Sequence, residues 1–255
     1  MRFGLGYSIR LPLYRALLQR ARFACATGAL ALCVSFTSSA KDWQASVAAS
    51  SDHVYRGVSL SWEQPSYQAS FQYRLPERWQ VGVWASTIET RDHVGTPIEA
   101  TASASGNWLL SNDWHLRTGY VRHQYFGHRT FYSYDYDELF AATTFRSQLT
   151  VSVSASPNVA RYRYQDSPQR AFVTAVEATW SQPLFWELSG SIGAGYNDLS
   201  SLYDTGYTYW HAALLRDIGP LGLSVMFINT DDHAATIYGY EITGNRWAAT
   251  ARWRF

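Results

Sequence analysis

The sequence has little lysine, little cysteine and no long apolar run where a folded domain would carry one. Lys41 is its single lysine, and charged residues make up only 16% of the 255 positions, against about 25% in an average soluble domain. Without lysine clusters there is no polybasic patch, so no nucleic acid is expected as a partner. The two cysteines, Cys25 and Cys33, both lie within the first 40 residues, so the remainder has neither a disulfide framework nor thiolates for zinc. Beyond residue 40 no apolar stretch approaches the ~18 residues of a spanning helix, which excludes a helical transporter. A glycine-rich phosphate loop and a histidine pair at helical spacing are also missing, so no cofactor and no metal are expected.

What is present begins with an address. Arg2, Arg10, Arg15, Arg20 and Arg22, with no acidic residue among them, precede an apolar stretch from Phe23 to Phe36 and then Thr37-Ser38-Ser39-Ala40. Basic, then apolar, then small residues is the layout of a secretory signal cut near Ala40. Residues 1–40 are therefore expected to be a signal peptide, and 41–255 the exported domain. The chain as written has 21 basic and 20 acidic groups; losing five leader arginines turns a net +1 into −4.

Past the leader the dominant period is two. At the end of the chain Trp247, Ala249, Ala251, Trp253 and Phe255 share one face, and Arg246, Ala248, Thr250, Arg252 and Arg254 the other. Tyr67, Ala69, Phe71 and Tyr73 alternate with Ser66, Gln68, Ser70 and Gln72, and Leu149, Val151, Val153 and Ala155 alternate with Thr150, Ser152 and Ser154. Strands with one large apolar face and one small polar face suit a barrel with lipid outside and water inside. The pattern predicts twelve strands, near 43–59, 65–74, 79–88, 97–109, 113–122, 136–146, 149–156, 170–182, 185–195, 206–217, 221–229 and 245–255. Short connections alternate with longer ones, so the expected fold is all-β: a single-domain, transmembrane, antiparallel up-and-down β-barrel of a Gram-negative outer membrane, its short turns periplasmic.

Tryptophan falls where such a barrel meets the headgroups. Trp43, Trp79, Trp108, Trp114, Trp180, Trp186 and Trp253 cluster near the short-turn ends as a membrane-interface girdle, with Tyr55, Tyr67, Trp84, Tyr120 and Trp247 as candidates for a second. Trp253 and the terminal Phe255, with apolar residues at every second position before them, resemble a barrel-assembly signal. Outer-membrane lipid, lipopolysaccharide and the barrel-assembly machinery are accordingly expected partners.

Ser51-Asp52-His53-Val54-Tyr55-Arg56-Gly57-Val58-Ser59, with Pro65, Gln68, Gly82-Val83-Trp84-Ala85-Ser86 and Glu99 downstream, resembles the TorF family of proteobacterial porins. The usual opening motif there is close to S-D-Y-V-F-R-G-x-S, carried here by Ser51, Asp52, Tyr55, Arg56, Gly57 and Ser59; His53 and Ala85 depart from the pattern. The resemblance implies an outer-membrane barrel and a channel, without naming a solute.

Parity assigns Arg56, Arg74, Glu99, Arg117, Glu138, Arg146, Glu177, Glu187, Arg246, Arg252 and Arg254 to the pore lining. The expected function is transport: passive diffusion of small hydrophilic solutes through a narrow channel, anionic ones included because forked guanidinium donors of Arg246, Arg252 and Arg254 line one strand. Asp52 and Arg56 are expected on the lumen side of the first strand, closing the barrel by pairing with neighbouring charges or selecting anions. The sequence is not expected to be an enzyme. A lipid-modifying activity is the alternative, since His123, His128, Ser133 and Asp135 lie near one another, but their spacing fits no nucleophile motif. Adhesion or receptor function through the long loops is a further alternative. Asp135-Tyr136-Asp137-Glu138 reads as a loop-edge acidic cluster able to meet a cation.

Overall fold

Residues 42–89, 93–128, 134–160 and 170–255 are described by the computed structural model. The expected signal peptide and Ser133 lie outside the described residues, as do the side chains of His93 and His128. The strands are β1 (Trp43–Ser50), β2 (Val54–Tyr55), β3 (Val58–Ser59), β4 (Ser66–Arg74), β5 (Trp79–Thr87), β6 (His93–Leu109), β7 (Trp114–His128), β8 (Tyr136–Phe145), β9 (Leu149–Ala160), β10 (Arg170–Pro183), β11 (Leu188–Asp198), β12 (Tyr207–Ile218), β13 (Leu221–Thr230) and β14 (Arg246–Arg254). All but β2 and β3 join in one closed, antiparallel, twelve-stranded barrel. Each strand pairs with its sequence neighbour, and β1 closes onto β14 from Ser46↔Arg254 to Ser50↔Thr250.

Alternation explains the closure. Along β4, β9 and β14 the large apolar side chains, Tyr67, Phe71, Tyr73, Leu149, Val151, Val153, Trp247 and Trp253, share one parity and are exposed, and the residues of the other parity are small or polar. Val83 and Ile192 are each 55% exposed and Leu214 is 52% exposed, although all three stand mid-strand in paired sheet. A contiguous apolar belt of this kind is not a surface that water tolerates. From Phe172 to Trp180, both outward on β10, eight residues at about 3.3 Å and a tilt near 40° span roughly 20 Å along the barrel axis. Among the described residues no helix is long and apolar enough to cross a membrane.

Where β1 was expected to run on to residue 59, it stops at Ser50 and the chain turns into the barrel. Residues 51–64 form an inward hairpin, β2 pairing with β3 through Val54↔Ser59 and Tyr55↔Val58. Two tight turns shape it, Arg56-Gly57 and Trp62-Glu63, all four residues with φ between 48° and 83°. Both are the left-handed turns whose twist matches a hairpin. Val54 and Val58 of this segment are buried inside the barrel.

Two short helices fold over the same end, α1 (Ser200–Tyr203) and α2 (Asp232–Tyr238). Val58, Leu202, Tyr207, Tyr209, Ala234 and Ile237 form a core there, while Val54, Met226, Ile228 and Ala248 form a smaller one against β13 and β14. Asp231 caps α2 through the amides of His233 and Ala234. Partial burial opposes its charge, yet hydrogen bonds from Thr208 outweigh that and hold its carboxyl below the ordinary range. The hairpin and the two helices thus narrow the long-loop end of the lumen.

Candidate functional site

The inward hairpin is held across the whole lumen by polar contacts. Asp52 accepts from the Ser59 and Ser61 hydroxyls and faces Arg246 of β14 at 3.5 Å. His53 Nε2 lies 2.9 Å from Glu99 of β6, whose other oxygen meets His123 Nδ1 at 3.2 Å and the Tyr125 hydroxyl at 3.2 Å. Trp84 packs on His53 and Tyr136 stacks on His123. At the tip, the Arg56 guanidinium donates to Glu138 of β8 at 2.7 Å and to Ser154 of β9 at 2.8 Å. Gly57 sits against β12 and β13, where an added Cβ would meet Tyr209 Cβ at 2.8 Å and overlap Thr230.

Between this tip and the wall lies a narrow chamber of about 40 Å³, lined by Tyr55, Arg56, Glu138, Ser152, Glu177 and Tyr209 among others. Glu177 accepts from the Tyr209 hydroxyl at 2.6 Å and from Thr179 at 3.3 Å. Glycines make room for this: a Cβ at Gly195 would overlap the Tyr209 ring, and one at Gly193 would meet Thr179 Oγ1 at 2.7 Å. On the opposite flank Arg117 donates to Ser105 at 3.1 and 3.2 Å and lies over the Phe140 ring at 5.6 Å.

The residues expected in the pore lining divide into three groups. Arg56, Glu99, Arg117, Glu138, Glu177 and Arg246 point inward and make the contacts above. Arg74, Arg252 and Arg254 sit on the inward parity at the short-turn end, with Arg254 held by Asp217 at 2.6 Å. Arg146 and Glu187 are corrections. Each stands in a tight turn with positive φ, outside the strand period. Arg146 pairs with Asp113 at 3.1 Å at the rim, and Glu187 is exposed, 3.7 Å from Arg216.

The aromatic positions need similar sorting. Trp43, Trp79, Trp114, Trp180 and Trp253 are outward and exposed near the short turns. Trp108 packs edge-on against Trp79 and covers Gly106. Trp186 is not in a strand but in the turn before β11, 78% exposed and against Phe185. Of the second set, Tyr67, Tyr120 and Trp247 face outward, whereas Trp84 points inward onto His53 of the hairpin and Tyr55, itself on the hairpin, reaches Glu138. Phe255 is exposed, its amide bonded to Ala45. The motif residues Ser51, Asp52, Tyr55, Arg56, Gly57 and Ser59 all belong to the inward segment.

The acidic run 135–138 is split by the barrel wall. Glu138 faces in to Arg56, while Asp135 and Asp137 face out to Arg122 at 3.5 and 3.0 Å, with Tyr120 also bonded to Asp137. His123 is buried between Glu99 and Tyr136, and among the described residues its Nε2 has no hydrogen-bond partner. Tyr209, Phe140 and Ser154 were missed as chamber residues, although each stands on the inward parity of its strand.

Residues 35–253 match the model of a family described as a bacterial protein of unknown function (Gcw_chp). The matching model bears that description and not the TorF name. No curated protein matches the sequence significantly. Among solved structures, the NanC porin aligns with a TM-score of 0.53 at 9% identity, covering 83% of this chain and 98% of that one. The KdgM porin aligns with a TM-score of 0.51 at 7% identity, covering 83% and 99%. At such identity the likeness is one of fold: a twelve-stranded porin-type barrel.

Proposed function

We propose that this chain, which belongs to the Gcw_chp family of bacterial proteins of unknown function, is a narrow outer-membrane channel for passive diffusion of small hydrophilic solutes. One observation carries the reading. A closed barrel with an apolar outer belt encloses a wall of small polar side chains, Ser46, Ser70, Ser105, Thr150 and Ser191 among them, below the inward hairpin. Water wets such a wall, and a barrel of intermediate size leaves room for it. In this reading lipid and lipopolysaccharide surround the belt, the tryptophans near the short turns sit at the inner headgroups, and Trp253 and Phe255 engage the assembly machinery.

The anion preference expected from the arginines is largely cancelled. Arg56, Arg246 and Arg254 each face a carboxylate of Glu138, Asp52 or Asp217. A channel rather than a lipid-modifying enzyme is supported by what surrounds His123: a carboxylate and an aromatic ring hold it in place. Purified protein in planar bilayers is expected to show small, steady conductance steps. Their absence across several salts, against a heat-denatured control, would remove the channel reading.

A further inference from the structure

Two imidazoles close on one carboxylate where the hairpin meets the wall. Glu99 of β6 takes His53 of the hairpin on one oxygen and His123 of β7 on the other, and the three side chains are no more than 4% exposed. Trp84 packs 5.3 Å from His53, and Tyr136 and Tyr55 lie 4.3 and 6.0 Å from His123, ring centre to ring centre. Imidazoles are the side chains that ordinarily change charge near neutral pH. Their far nitrogens, His53 Nδ1 and His123 Nε2, have no hydrogen-bond partner among the described residues. A neutral ring leaves a bare acceptor there and a protonated ring a bare donor, so hydrogen bonding does not choose between the two forms. The choice falls to charge.

The charges around this anchor are Asp52 and Arg56 on the hairpin, Glu99 on β6, Glu138 on β8 and Arg246 on β14. All are buried except Arg56, which is nearly so. Arg56 answers Glu138 and Arg246 answers Asp52, which leaves Glu99 without a guanidinium. Glu63 reaches Arg246 at 3.7 Å from the solvent side, and Glu177 of β10 borders the chamber under the tip with His211 of β12 as its electrostatic neighbour. Both carboxylates add to the negative excess. The hydroxyls of Tyr55, Tyr125 and Tyr136 carry no charge near neutrality. A buried carboxylate without a compensating charge is costly, and two rings stand within hydrogen-bond reach of Glu99 to supply one. A single proton, belonging to the pair rather than to either ring, does so.

We propose that the hairpin is a proton-latched gate: the anchored state holds a proton on the His53–Glu99–His123 bridge, and loss of that proton loosens the hairpin from the wall. As a gate it rests on the channel reading above; as a latch it does not. The anchored state binds a proton that the released state, with its imidazoles in water, gives up. Its stability is therefore fully present in mild acid and falls as pH rises through and above neutrality. Acid keeps the hairpin across the lumen, and alkali frees it.

Hydrogen exchange of the full barrel in micelles tests the latch, the fold being checked by heat-modifiable mobility. The reporters are the amides of His53, Ser59 and Leu60, which donate to Ser61 Oγ, the Ile242 carbonyl and the His53 carbonyl. After correction for intrinsic exchange, the opening they report should rise on the order of tenfold between pH 6 and 8.5, as one linked proton requires. Amides between β10 and β11 should stay level. Glu99→Gln should abolish the rise, since Asp52 and Glu138 then meet two guanidiniums, and so should His53→Gln combined with His123→Gln. Either variant suffices where the other does not fold. His211→Gln should leave the rise intact. Opening indifferent to pH in the native protein overturns the latch, as does a rise that survives Glu99→Gln or is lost in His211→Gln. Opening that grows toward acid overturns it in favour of repulsion between two charged imidazoles. In planar bilayers the native barrel should pass from small steady steps at pH 6 to larger, intermittent ones at pH 8.5, and Glu99→Gln should not. Conductance that ignores pH while the exchange responds overturns the gate. No conductance at any pH removes the channel reading and leaves the latch to be decided by the exchange.

Discussion

At Arg56 the backbone takes φ of 48°, a conformation an arginine adopts only under compulsion. Glu138 and Ser154 hold its side chain, and Gly57 beside it supplies the second left-handed residue of the turn. Such strain in a non-glycine residue points to a position the rest of the fold over-determines. Gly57→Ala should therefore destabilise the folded barrel by about 2 kcal/mol or more, from the positive φ and the clash with Tyr209 and Thr230 together. Urea titration of the micellar protein would measure it; a midpoint equal to the native one would show the tip is not wedged there. Left-handed residues also explain what the sequence concealed. Arg146, Ser147, Trp186 and Glu187 occupy tight turns without the asparagine or glycine that ordinarily announces them. Parity counting kept Arg146 and residues 185–187 within strands, and so carried Arg146 and Glu187 into the lumen.

The strands themselves were legible because period two is a property of each segment alone. β5, β10, β13 and β14 end within two residues of where the alternation predicts. The hairpin was not, since its residues 51–59 continue the alternation of β1 while turning away from the wall. Only tertiary contacts reveal the turn: Asp52 to Arg246, His53 to Glu99 and Arg56 to Glu138 join segments 46 to 194 residues apart. Local pattern carries no record of such pairings. One element thus reaches across the lumen at the long-loop end, touching β6, β8, β9 and β14. Replacing residues 51–64 by a short glycine-serine link should raise single-channel conductance several-fold and broaden the step distribution. Unchanged conductance would mean the limiting constriction lies elsewhere, among the loop helices.

For the molecule as a whole, the two faces of one strand should answer the same substitution oppositely. On β11, Ile192 is outward and 55% exposed, near the middle of the apolar belt, and Ser191 beside it faces the lumen. An arginine at the bilayer midplane costs about 2–4 kcal/mol, whereas the same charge in water is nearly free. Ile192→Arg should weaken folding into phospholipid vesicles by about that amount, and Ser191→Arg by well under 1 kcal/mol. In lipid-free detergent the gap between them should narrow, because micelles deform around a charge. Equal costs in vesicles would contradict a lipid-facing belt and with it the membrane reading of the fold. This whole-molecule contrast separates two meanings of an apolar surface that composition alone merges. A soluble sandwich turns its large side chains inward, where Ile192 would be buried and Ser191 wet. Here closure of β1 onto β14 leaves no second sheet to cover the aromatic and aliphatic face. The hydrophobic effect then favours an environment outside the chain, and the small inward residues leave space for solutes.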